Sequence, residues 1–432
     1  MSFPRYPSYK DSGVEWLGKV PEHWKTSPLK VVSTHNDDVL DETTVPDAEI
    51  VYVDISSVDG VNGVKTKETM LFAAAPSRAR RRVKHGDVIV STVRTYLKAI
   101  ARIRNPEENL IVSTGFAVIR PRGELSPDFL GYLVSASYFV EQVIARSTGV
   151  SYPAINASEL VAIPVPVPPI AEQTQIAAFL DRETAKIDEL VAEQRRLMEL
   201  LKEKRQTVIS HAVTQGLNPD APMKPSGIEW LGDVPAHWEV IKAKRVSSIF
   251  VPQRNKPELN TEGNGLHWVT MDQMRSEVIS GAELWVSKSA AYDAGTRVLK
   301  AGAVVASCVG TFGLAAVNEV DVIINQQLQA FVPSDEIEAK FLMHCVVISK
   351  GYFEQIGTAA TIAYVNQLGF ANLPIALPPR NEQHQIVVFV ADETAKFDTL
   401  TAEAQRAIDL LQERRTALIS AAVTGQIDVR PH

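Results

Sequence analysis

Two long stretches of the chain carry a helical pattern of apolar and polar positions. Residues 170–214 and 380–424 contain no proline or glycine and are rich in Ala, Glu, Gln, Lys, Arg and Leu, which predicts one uninterrupted helix in each. Positions spaced alternately three and four residues apart form a heptad pattern, so we expect the two helices to pair as a coiled coil. The predicted contact positions are Ile187, Leu190, Gln194, Leu197, Leu201, Lys204 and Val208 in the first helix, and Phe397, Leu400, Ala404, Ala407, Leu411, Arg414 and Leu418 in the second. The alternative, two amphipathic helices in an ordinary core, is disfavoured by the unbroken length and matched spacing.

Short apolar runs typical of strands lie ahead of each helix. They cover residues 50–55, 87–93 and 115–120 in the first half of the chain, and residues 266–271, 303–309 and 328–332 in the second. Each set continues into a helical stretch, residues 127–145 and 337–356. Both blocks are therefore predicted to be α+β. Because their elements follow the same order, we expect one fold in two copies.

Parts of the two halves are also closely similar in sequence. The segment Ser12-Gly13-Val14-Glu15-Trp16-Leu17-Gly18 through His23-Trp24 returns as Ser226-Gly227-Ile228-Glu229-Trp230-Leu231-Gly232 through His237-Trp238. The segment beginning Pro168-Pro169 returns at Pro378-Pro379, whereas residues 25–162 and 239–373 share little. This indicates a duplication with two equivalent frames and two different inserts. The predicted divisions are residues 1–169, 170–214, 215–379 and 380–432, that is, domain, spacer helix, domain, and spacer helix with tail.

Composition narrows the class of protein. With 432 residues, 45% hydrophobic residues and a net charge of −7, the chain is typical of globular proteins and is not a general polycation for nucleic acid. No apolar run approaches the roughly 18 residues of a membrane span, and the start lacks the apolar core of a signal peptide. We therefore expect a cytoplasmic protein that is not associated with a membrane. The two cysteines, Cys308 and Cys345, have no metal-ligand spacing and are expected to be buried thiols rather than a zinc site.

Motifs for catalysis are missing from the sequence. There is no phosphate-binding Gly-x-x-x-x-Gly-Lys loop and no Asn-Pro-Pro or Asp-Pro-Pro sequence for holding a flipped base, since Asn105-Pro106 is followed by Glu107. His23 and His237 recur, but a carboxylate precedes only the first. We expect them to be structural, beside indoles that anchor the opening segments: Trp16, Trp24, Trp230 and Trp238.

One repeated phrase makes the chain recognisable. It reads Pro168-Pro169-Ile170-Ala171-Glu172-Gln173-Thr174-Gln175-Ile176 and returns as Pro378-Pro379-Arg380-Asn381-Glu382-Gln383-His384-Gln385-Ile386. Together with the two Gly-x-Glu-Trp-Leu-Gly-x-Val-Pro-x-His-Trp openings, it closely resembles the specificity subunit of type I restriction-modification systems over the whole chain. The resemblance implies two similar α+β target-recognition domains separated by two long antiparallel coiled-coil helices, with a pseudo-two-fold internal repeat.

The resemblance also implies partners and the absence of chemistry in this chain. The subunit would bind a bipartite target in double-stranded DNA. It would carry DNA methyltransferase (M) subunits, two of them, and restriction endonuclease/translocase (R) subunits. No cofactor would belong to the chain itself, because S-adenosylmethionine, ATP and magnesium belong to the partners. The alternative is a non-catalytic assembly scaffold whose variable domains bind proteins.

Two sets of residues in the first block are candidate DNA contacts. The densest basic cluster would neutralise phosphates without reading sequence, Arg81 included; a solvated face or a partner-subunit site is the alternative. It consists of Arg78, Arg80, Arg81, Arg82 and Lys84. The loop after the second predicted strand mixes hydroxyl, aromatic and basic side chains suited to base edges, and Arg94 is the predicted base reader. It offers Thr92, Arg94, Tyr96 and Lys98.

The second block offers different candidates. The positional counterpart of the Arg94 loop is Cys308-Val309-Gly310-Thr311-Phe312-Gly313, which is less polar and would bring backbone and Thr311 to DNA. A polar loop with Gln253, Arg254 and Lys256 is a further candidate, with an ordinary exposed turn as the alternative. The hydroxyl-rich segments 147–152 and 357–362 are possible additional contacts.

Overall fold

The structure is a computed structural model that describes residues 3–41, 43–60, 63–358 and 362–430. It divides into two compact units. Unit 1 contains Met1–Gln194 and Gln405–His432, and unit 2 contains Arg195–Ala404. Both long helices therefore contribute one segment to each unit.

Unit 1 holds eight principal strands in two sheets. They are β1 Ser33–His35, β2 Glu49–Val53, β3 Glu68–Leu71, β4 Ala79–Arg82, β5 Val88–Ser91, β6 Ile100–Arg102, β7 Leu110–Ser113 and β8 Phe116–Pro121. One sheet has the order β6-β5-β8-β1 and is antiparallel; the other has the order β3-β2-β7-β4, in which β2 and β7 are parallel. The apolar side chains of Val53, Ile89, Val112 and Phe116 share one buried core, which explains why β5 and β7 read as continuous apolar runs.

Unit 2 repeats most of this topology, with five strands in one sheet and three in the other. Its principal strands are β9 Ser247–Phe250, β10 Leu266–Val269, β11 Val278–Ile279, β12 Trp285–Val286, β13 Val304–Ser307, β14 Ala315–Asn318, β15 Val322–Ile324 and β16 Leu328–Pro333. The sheets have the orders β9-β16-β13-β14-β11 and β12-β10-β15, and β10 is again parallel to β15. Strand for strand, β13 takes the place of β5 and β16 that of β8. The prediction of one α+β fold in two copies is confirmed.

The helical stretches within the domains are each interrupted once. Residues 127–145 form α1, Pro127–Ser135, and α2, Ser137–Ala145; the equivalent helices in unit 2 are α3, Ala339–Ile348, and α4, Lys350–Ile356. The chain also forms short helical segments at Leu29–Val32, Ile55–Ser57, Phe72–Ala74, Thr95–Leu97, Ala157–Leu160, Glu229–Leu231, Ala243–Arg245, Met271–Arg275, Lys288–Asp293 and Gln367–Ala371. Short strands pair Tyr9–Asp11 with Lys19–Pro21, Val58–Asp59 with Gly63–Val64, Lys25–Pro28 with Pro164–Val167, Met223–Pro225 with Asp233–Pro235, and Glu239–Lys242 with Pro374–Leu377.

The two long helices are confirmed, Ile170–Gln215 with 46 residues and Arg380–Val423 with 44. Inside unit 2 they are antiparallel: Ile209 near the end of the first shares a core with Ile386 near the start of the second, while Arg205 lies 3.7 Å from Asp398. Unit 1 has the repeat-related ion pair, in which Arg415 lies 3.1 Å from Asp188. Within the described residues, no helix is both long enough and apolar enough to cross a membrane.

The predicted heptad pattern is correct at alternate positions only. Ile187, Leu201, Phe397, Ala404 and Leu418 are buried, but Leu190, Leu197 and Leu400 are between 42% and 46% exposed. In each case the next residue along the helix turns inward instead. Val191, Met198 and Thr401 take the places of these three leucines, and Arg205 and Arg415 take the places predicted for Lys204 and Arg414. A spacing of three or four residues fits either choice, and the exposed leucines made the wrong one look more apolar.

The repeated Glu-Gln pair fixes the start of each long helix to its own domain. The carboxylate of Glu172 pairs with Nε2 of His23 at 2.8 Å, and that of Glu382 pairs with His237 at the same distance. Beside each histidine, Trp24 and Trp238 are completely buried. These histidines are therefore structural, as predicted.

The neighbouring glutamine closes the domain. The Gln173 side-chain oxygen accepts from the backbone N–H of Ser126 at 2.8 Å, and its amide nitrogen donates to the carbonyls of Glu124 and Pro168. Gln383 makes the same three bonds to Glu338, Glu336 and Pro378. Both glutamines are fully buried, and their bonds to the carbonyls of Pro168 and Pro378 are buried as well, so these bonds satisfy polar groups that water cannot reach.

The end of the other long helix meets the same place. Gly216 has φ +76°, and a Cβ there would lie 3.2 Å from the ring of Trp238. Gly425 has φ +73°, and a Cβ there would lie 3.1 Å from the ring of Trp24. A left-handed helix end in contact with an indole requires glycine at both positions. In each unit, therefore, the start of one helix and the end of the other converge on one buried tryptophan.

We predict that Gln173→Ala destabilises unit 1 by about 2 kcal/mol, because one partly buried N–H, one partly buried carbonyl and the buried carbonyl of Pro168 lose their partner. Urea denaturation followed by tryptophan fluorescence measures the change. Gln175→Ala, on an exposed position of the same helix, is the matched control and should change the unfolding free energy little. Equal effects of the two substitutions would contradict the anchoring role.

Candidate nucleic-acid interface

Two loops of unit 1 join into one structure, which we call the first tip: residues 92–98, after β5, and residues 147–154, after α2. The backbone N–H of Arg94 donates to the carbonyl of Pro153 at 2.8 Å, and the hydroxyls of Thr95 and Ser147 are 2.9 Å apart. A bridge also joins Val93 to Ala154. The predicted reading loop and the separate segment 147–152 are thus parts of one surface.

The side chains of the first tip are mostly exposed. Tyr96 is 51% exposed and Tyr152 is 61% exposed, and Arg94 and Lys98 also face solvent. The guanidinium carbon of Arg94 lies 4.7 Å from the centre of the Tyr152 ring, a cation–π distance. Thr92 differs from its neighbours because it is buried and its hydroxyl donates to the carbonyl of Gly115 at 2.9 Å. Its contribution is therefore to hold the loop in place.

The basic cluster divides into engaged and free cations. Arg78 pairs with Asp54 at 3.0 Å, and its hydrogen bond to Tyr52, aided by Asp54, raises the pKa of its guanidinium. Lys84 pairs with Asp38 at 2.9 Å. Arg82, at the end of the edge strand β4, is exposed and has no carboxylate within ion-pair distance in the part of the chain that the structure describes. Only some of the cluster is therefore available to an external anion.

The two remaining arginines of the cluster are half-buried. Arg80 lies with its guanidinium carbon 4.8 Å from the ring centre of Phe72. Arg81 donates to the side chain of Asn36 and to the carbonyl of Phe116, and burial lowers the pKa of its guanidinium. Arg81 thus fixes the start of β8 from the inside.

The basic cluster and the first tip border the same turn between β7 and β8. The N–H of Thr114 donates to the carbonyl of Arg78, and the N–H of Thr92 donates to the carbonyl of Gly115, both at 2.8 Å. The structure therefore brings the two predicted sets of residues to adjoining parts of one domain. Cations beside exposed aromatic and arginine side chains are the combination that phosphate and base contacts require.

Unit 2 builds an equivalent surface, the second tip, from residues 308–313 and 357–364, of which 359–361 lie outside the described residues. The N–H of Gly310 donates to the carbonyl of Ala363 at 2.9 Å, and a bridge joins Val309 to Tyr364. Thr311 is exposed, and its carbonyl accepts from the hydroxyl of Ser307. The backbone of the first tip is thus repeated with different side chains.

The polar loop of unit 2 lies beside this second tip. The side-chain amide of Gln326 donates to the carbonyls of Gln253 at 3.0 Å and Arg254 at 3.3 Å. The next residue, Gln327, accepts from the N–H of Cys308 at 2.9 Å. The side chains of Gln253, Arg254 and Lys256 remain exposed, so this loop is an accessible polar edge next to Thr311.

Neither cysteine forms a disulfide or belongs to a metal site among the described residues. Cys308 and Cys345 are buried free thiols, as predicted, and burial raises the pKa of Cys308 to about 11. Among the described residues, no group of three or more His, Cys, Asp and Glu side chains is arranged to hold a metal ion.

Sequence reasoning missed the residue that Arg94 contacts. Tyr152 is 58 positions away from Arg94 in the chain. The one available signal is the neighbouring composition, since Gly149 and Pro153 enclose Val150 and Tyr152, two large apolar side chains in an otherwise polar turn. Val150 proves to be completely exposed.

With this geometry in place, comparisons with known proteins identify the class. The sequence pattern of the type I restriction modification DNA specificity domain matches twice, at residues 74–198 and 235–408. The chain belongs to this family, whose members are the non-catalytic specificity subunits of type I restriction-modification systems.

Individual relatives match nearly the whole chain. The putative type I restriction enzyme MjaX specificity subunit of Methanocaldococcus jannaschii is 20% identical, with 96% of each chain covered. The StySPI specificity subunit of Salmonella potsdam is 21% identical, covering 95% of this chain and 90% of that one.

Two solved structures are similar as well, each 26% identical and covering 94% of this chain and 98% of the other. One, described as the structural basis of complex assembly and conformational transition of the type I R-M system, superposes with a TM-score of 0.74. The other is the HsdS subunit from Thermoanaerobacter tengcongensis, with a TM-score of 0.52.

Proposed function

We propose that this chain binds a bipartite sequence in double-stranded DNA, with the first tip on one half-site and the second tip on the other. The observation that carries the proposal is the repeated tip, in which one backbone presents different side chains. Arg94 and Gly310 occupy the same place after β5 and β13, and Tyr152 and Ile362 occupy the same place in the second loop. Different side chains on one frame suit two different half-sites.

The exposure of each side chain in and beside the first tip, and its contacts within the domain, are the basis on which we assign its role. We assign Arg94 and Tyr96 to base edges, and we assign Lys98 and Arg82, which have no ion-pair partner among the described residues, to phosphates. Arg78, Arg80, Arg81 and Lys84 support this surface, because each already has a partner in its own domain. On unit 2, Thr311, Gln253 and Arg254 are the candidate base contacts and Lys256 the candidate phosphate contact.

The bound DNA would be acted on by partner subunits. We infer that two DNA methyltransferase subunits and the restriction endonuclease/translocase subunits assemble on this chain in the cytoplasm. S-adenosylmethionine, ATP and magnesium would then be bound by those partners. The naming of the relatives as specificity subunits, the two long helices and the two domains of similar fold support this arrangement.

Exchange of one insert tests the proposal that each tip recognises its own half-site. Replacing residues 25–162 with the corresponding block of a relative should change one half-site and leave the other unchanged, because each tip is built within one domain. Methylome sequencing of a host that expresses the chimera with its methyltransferase gives the answer. Changes in both half-sites of an active chimera would show that the domains do not read independently.

The purified chain alone should transfer no methyl groups to DNA. Incubation with radiolabelled S-adenosylmethionine and host DNA measures this, and addition of the methyltransferase subunits provides the positive control. Robust transfer by the chain without a partner would contradict its assignment as a binding subunit.

Substitution of neighbouring arginines separates phosphate contact from support. Arg82→Ala should weaken binding of target and unrelated DNA by the same factor, and lower the slope of log affinity against log salt by about 1. Arg81→Ala, the neighbouring control, should instead lower the unfolding free energy, because two acceptors inside the domain lose their donor. Binding titrations at several salt concentrations and urea denaturation distinguish the two. A target-specific loss in Arg82→Ala would contradict its assignment to phosphate.

A further inference from the structure

We propose that Arg94 reads a guanine in the first half-site and that Tyr152 is the positioning residue that holds its guanidinium for this contact. The proposal rests on DNA binding by the first tip and goes beyond it by naming the base and the second residue. Three observations carry it: the backbone conformation of Arg94, the absence of an ion-pair or hydrogen-bond partner for its side chain among the described residues, and the counterpart of the Arg94–Tyr152 pair in unit 2.

The backbone at Arg94 is in a conformation that arginine rarely adopts. Its φ is 52° and its ψ is 49°, in the left-handed region, which is strained for a residue other than glycine. The N–H bond to Pro153 and the contact between Thr95 and Ser147 hold the loop in this shape. In unit 2 the equivalent position is Gly310, with φ 74°. The same turn is thus available without strain, and the first tip has a side chain there instead.

The guanidinium of Arg94 is stacked but otherwise unengaged. No carboxylate lies within ion-pair distance of it, and no hydrogen bond from its side chain is found among the described residues. Arg102 is the instructive contrast: it also stacks on a tyrosine, Tyr132 at 4.1 Å, but its N–H groups point to Asp181 at 3.4 Å. Stacking combined with an ion pair is structural. Stacking with every N–H free leaves a donor edge for an external acceptor.

Guanine is the base that matches this donor edge. Its O6 and N7 are adjacent acceptors in the major groove, and two N–H groups of one guanidinium bind both at once. Adenine and cytosine present an amino donor in that groove, which would face the arginine donors unfavourably. The Tyr152 ring, bound to one face of the guanidinium, restricts its rotation and so lowers the entropy lost on forming two parallel bonds.

The second tip lacks this device at the equivalent place. A Cβ on Gly310 would lie 3.8 Å from Cγ2 of Ile362, so positions 310 and 362 face each other as Arg94 and Tyr152 do. Neither glycine nor isoleucine offers a side-chain donor. A guanine contact through this position therefore belongs to the first half-site alone.

The experiment uses the chain in complex with its methyltransferase subunits and a duplex carrying the target mapped by methylome sequencing. Each guanine of the first half-site is replaced in turn by 7-deazaguanine, which lacks the N7 acceptor. With the unaltered chain, one replacement should lower affinity about tenfold. Arg94→Gly should bind the ordinary target on the order of 10- to 100-fold more weakly and be insensitive to that replacement.

Matched variants test the role of Tyr152 and guard against misfolding. Arg94→Gly should unfold at an equal or higher temperature than the unaltered chain, because it relieves backbone strain, and Arg94→Asn, which tolerates the same conformation, should repeat its binding behaviour. Tyr152→Phe should keep the 7-deazaguanine effect, since the stacking ring remains. Tyr152→Ala should reduce it, with little further loss when combined with Arg94→Gly. Ile362→Ala should leave the first half-site unchanged.

Distinct outcomes overturn distinct claims. If Arg94→Gly and Arg94→Asn keep sensitivity at every guanine while the complex binds its target, Arg94 is not the guanine reader, although DNA recognition stands. If Tyr152→Phe behaves like Tyr152→Ala, stacking does not position Arg94. If the complex shows no preference for the mapped target over unrelated DNA, the proposed function itself fails.

Discussion

Each domain depends on a small buried attachment at the start of a long helix. One glutamine binds three backbone groups, Gln173 in unit 1 and Gln383 in unit 2, and both are without access to water. The domain begins and ends at this attachment, because Lys25–Pro28 pairs with Pro164–Val167 just before the helix. An insert whose two ends are fixed at one place can change its loops without moving its ends. This explains why sequence similarity is kept at the attachment and lost in the insert.

The helices reveal a second constraint, which is register. Their inward positions include polar residues such as Thr184, Gln194 and Thr394, so apolar burial alone specifies their alignment weakly. The Arg205–Asp398 pair in unit 2 and the Arg415–Asp188 pair in unit 1 add a specific criterion. A slip by one heptad would separate both pairs. Such partly exposed pairs contribute little net stability, but the loss of both disfavours the wrong register.

The sequence alone was sufficient to predict the long helices and the repeated fold, but not which side chains of the candidate interface are accessible. Unbroken helical composition located both long helices to within two residues, and the order of apolar runs predicted the shared α+β fold. The heptad prediction failed at Leu190 and Leu197, because periodicity alone does not decide which of two adjacent residues turns inward. Charge density was a poor guide to accessible charge as well. Arg78 and Lys84 form ion pairs with Asp54 and Asp38, which are distant in the sequence. The sequence around an arginine or lysine does not predict such a partner.

The contrast among the arginines leads to a general criterion for this fold. An arginine whose donors are satisfied within its domain, like Arg120 on the buried carboxylate of Asp87, stabilises the structure it belongs to. Arg94 has the opposite character: its backbone is strained, its ring contact orders it, and its donors have no acceptor in the described chain. Strain and unsatisfied donors would be disadvantages in a supporting residue, because a glycine like Gly310 forms the same turn at no such cost. The guanine contact that we propose accounts for their presence together at one exposed loop.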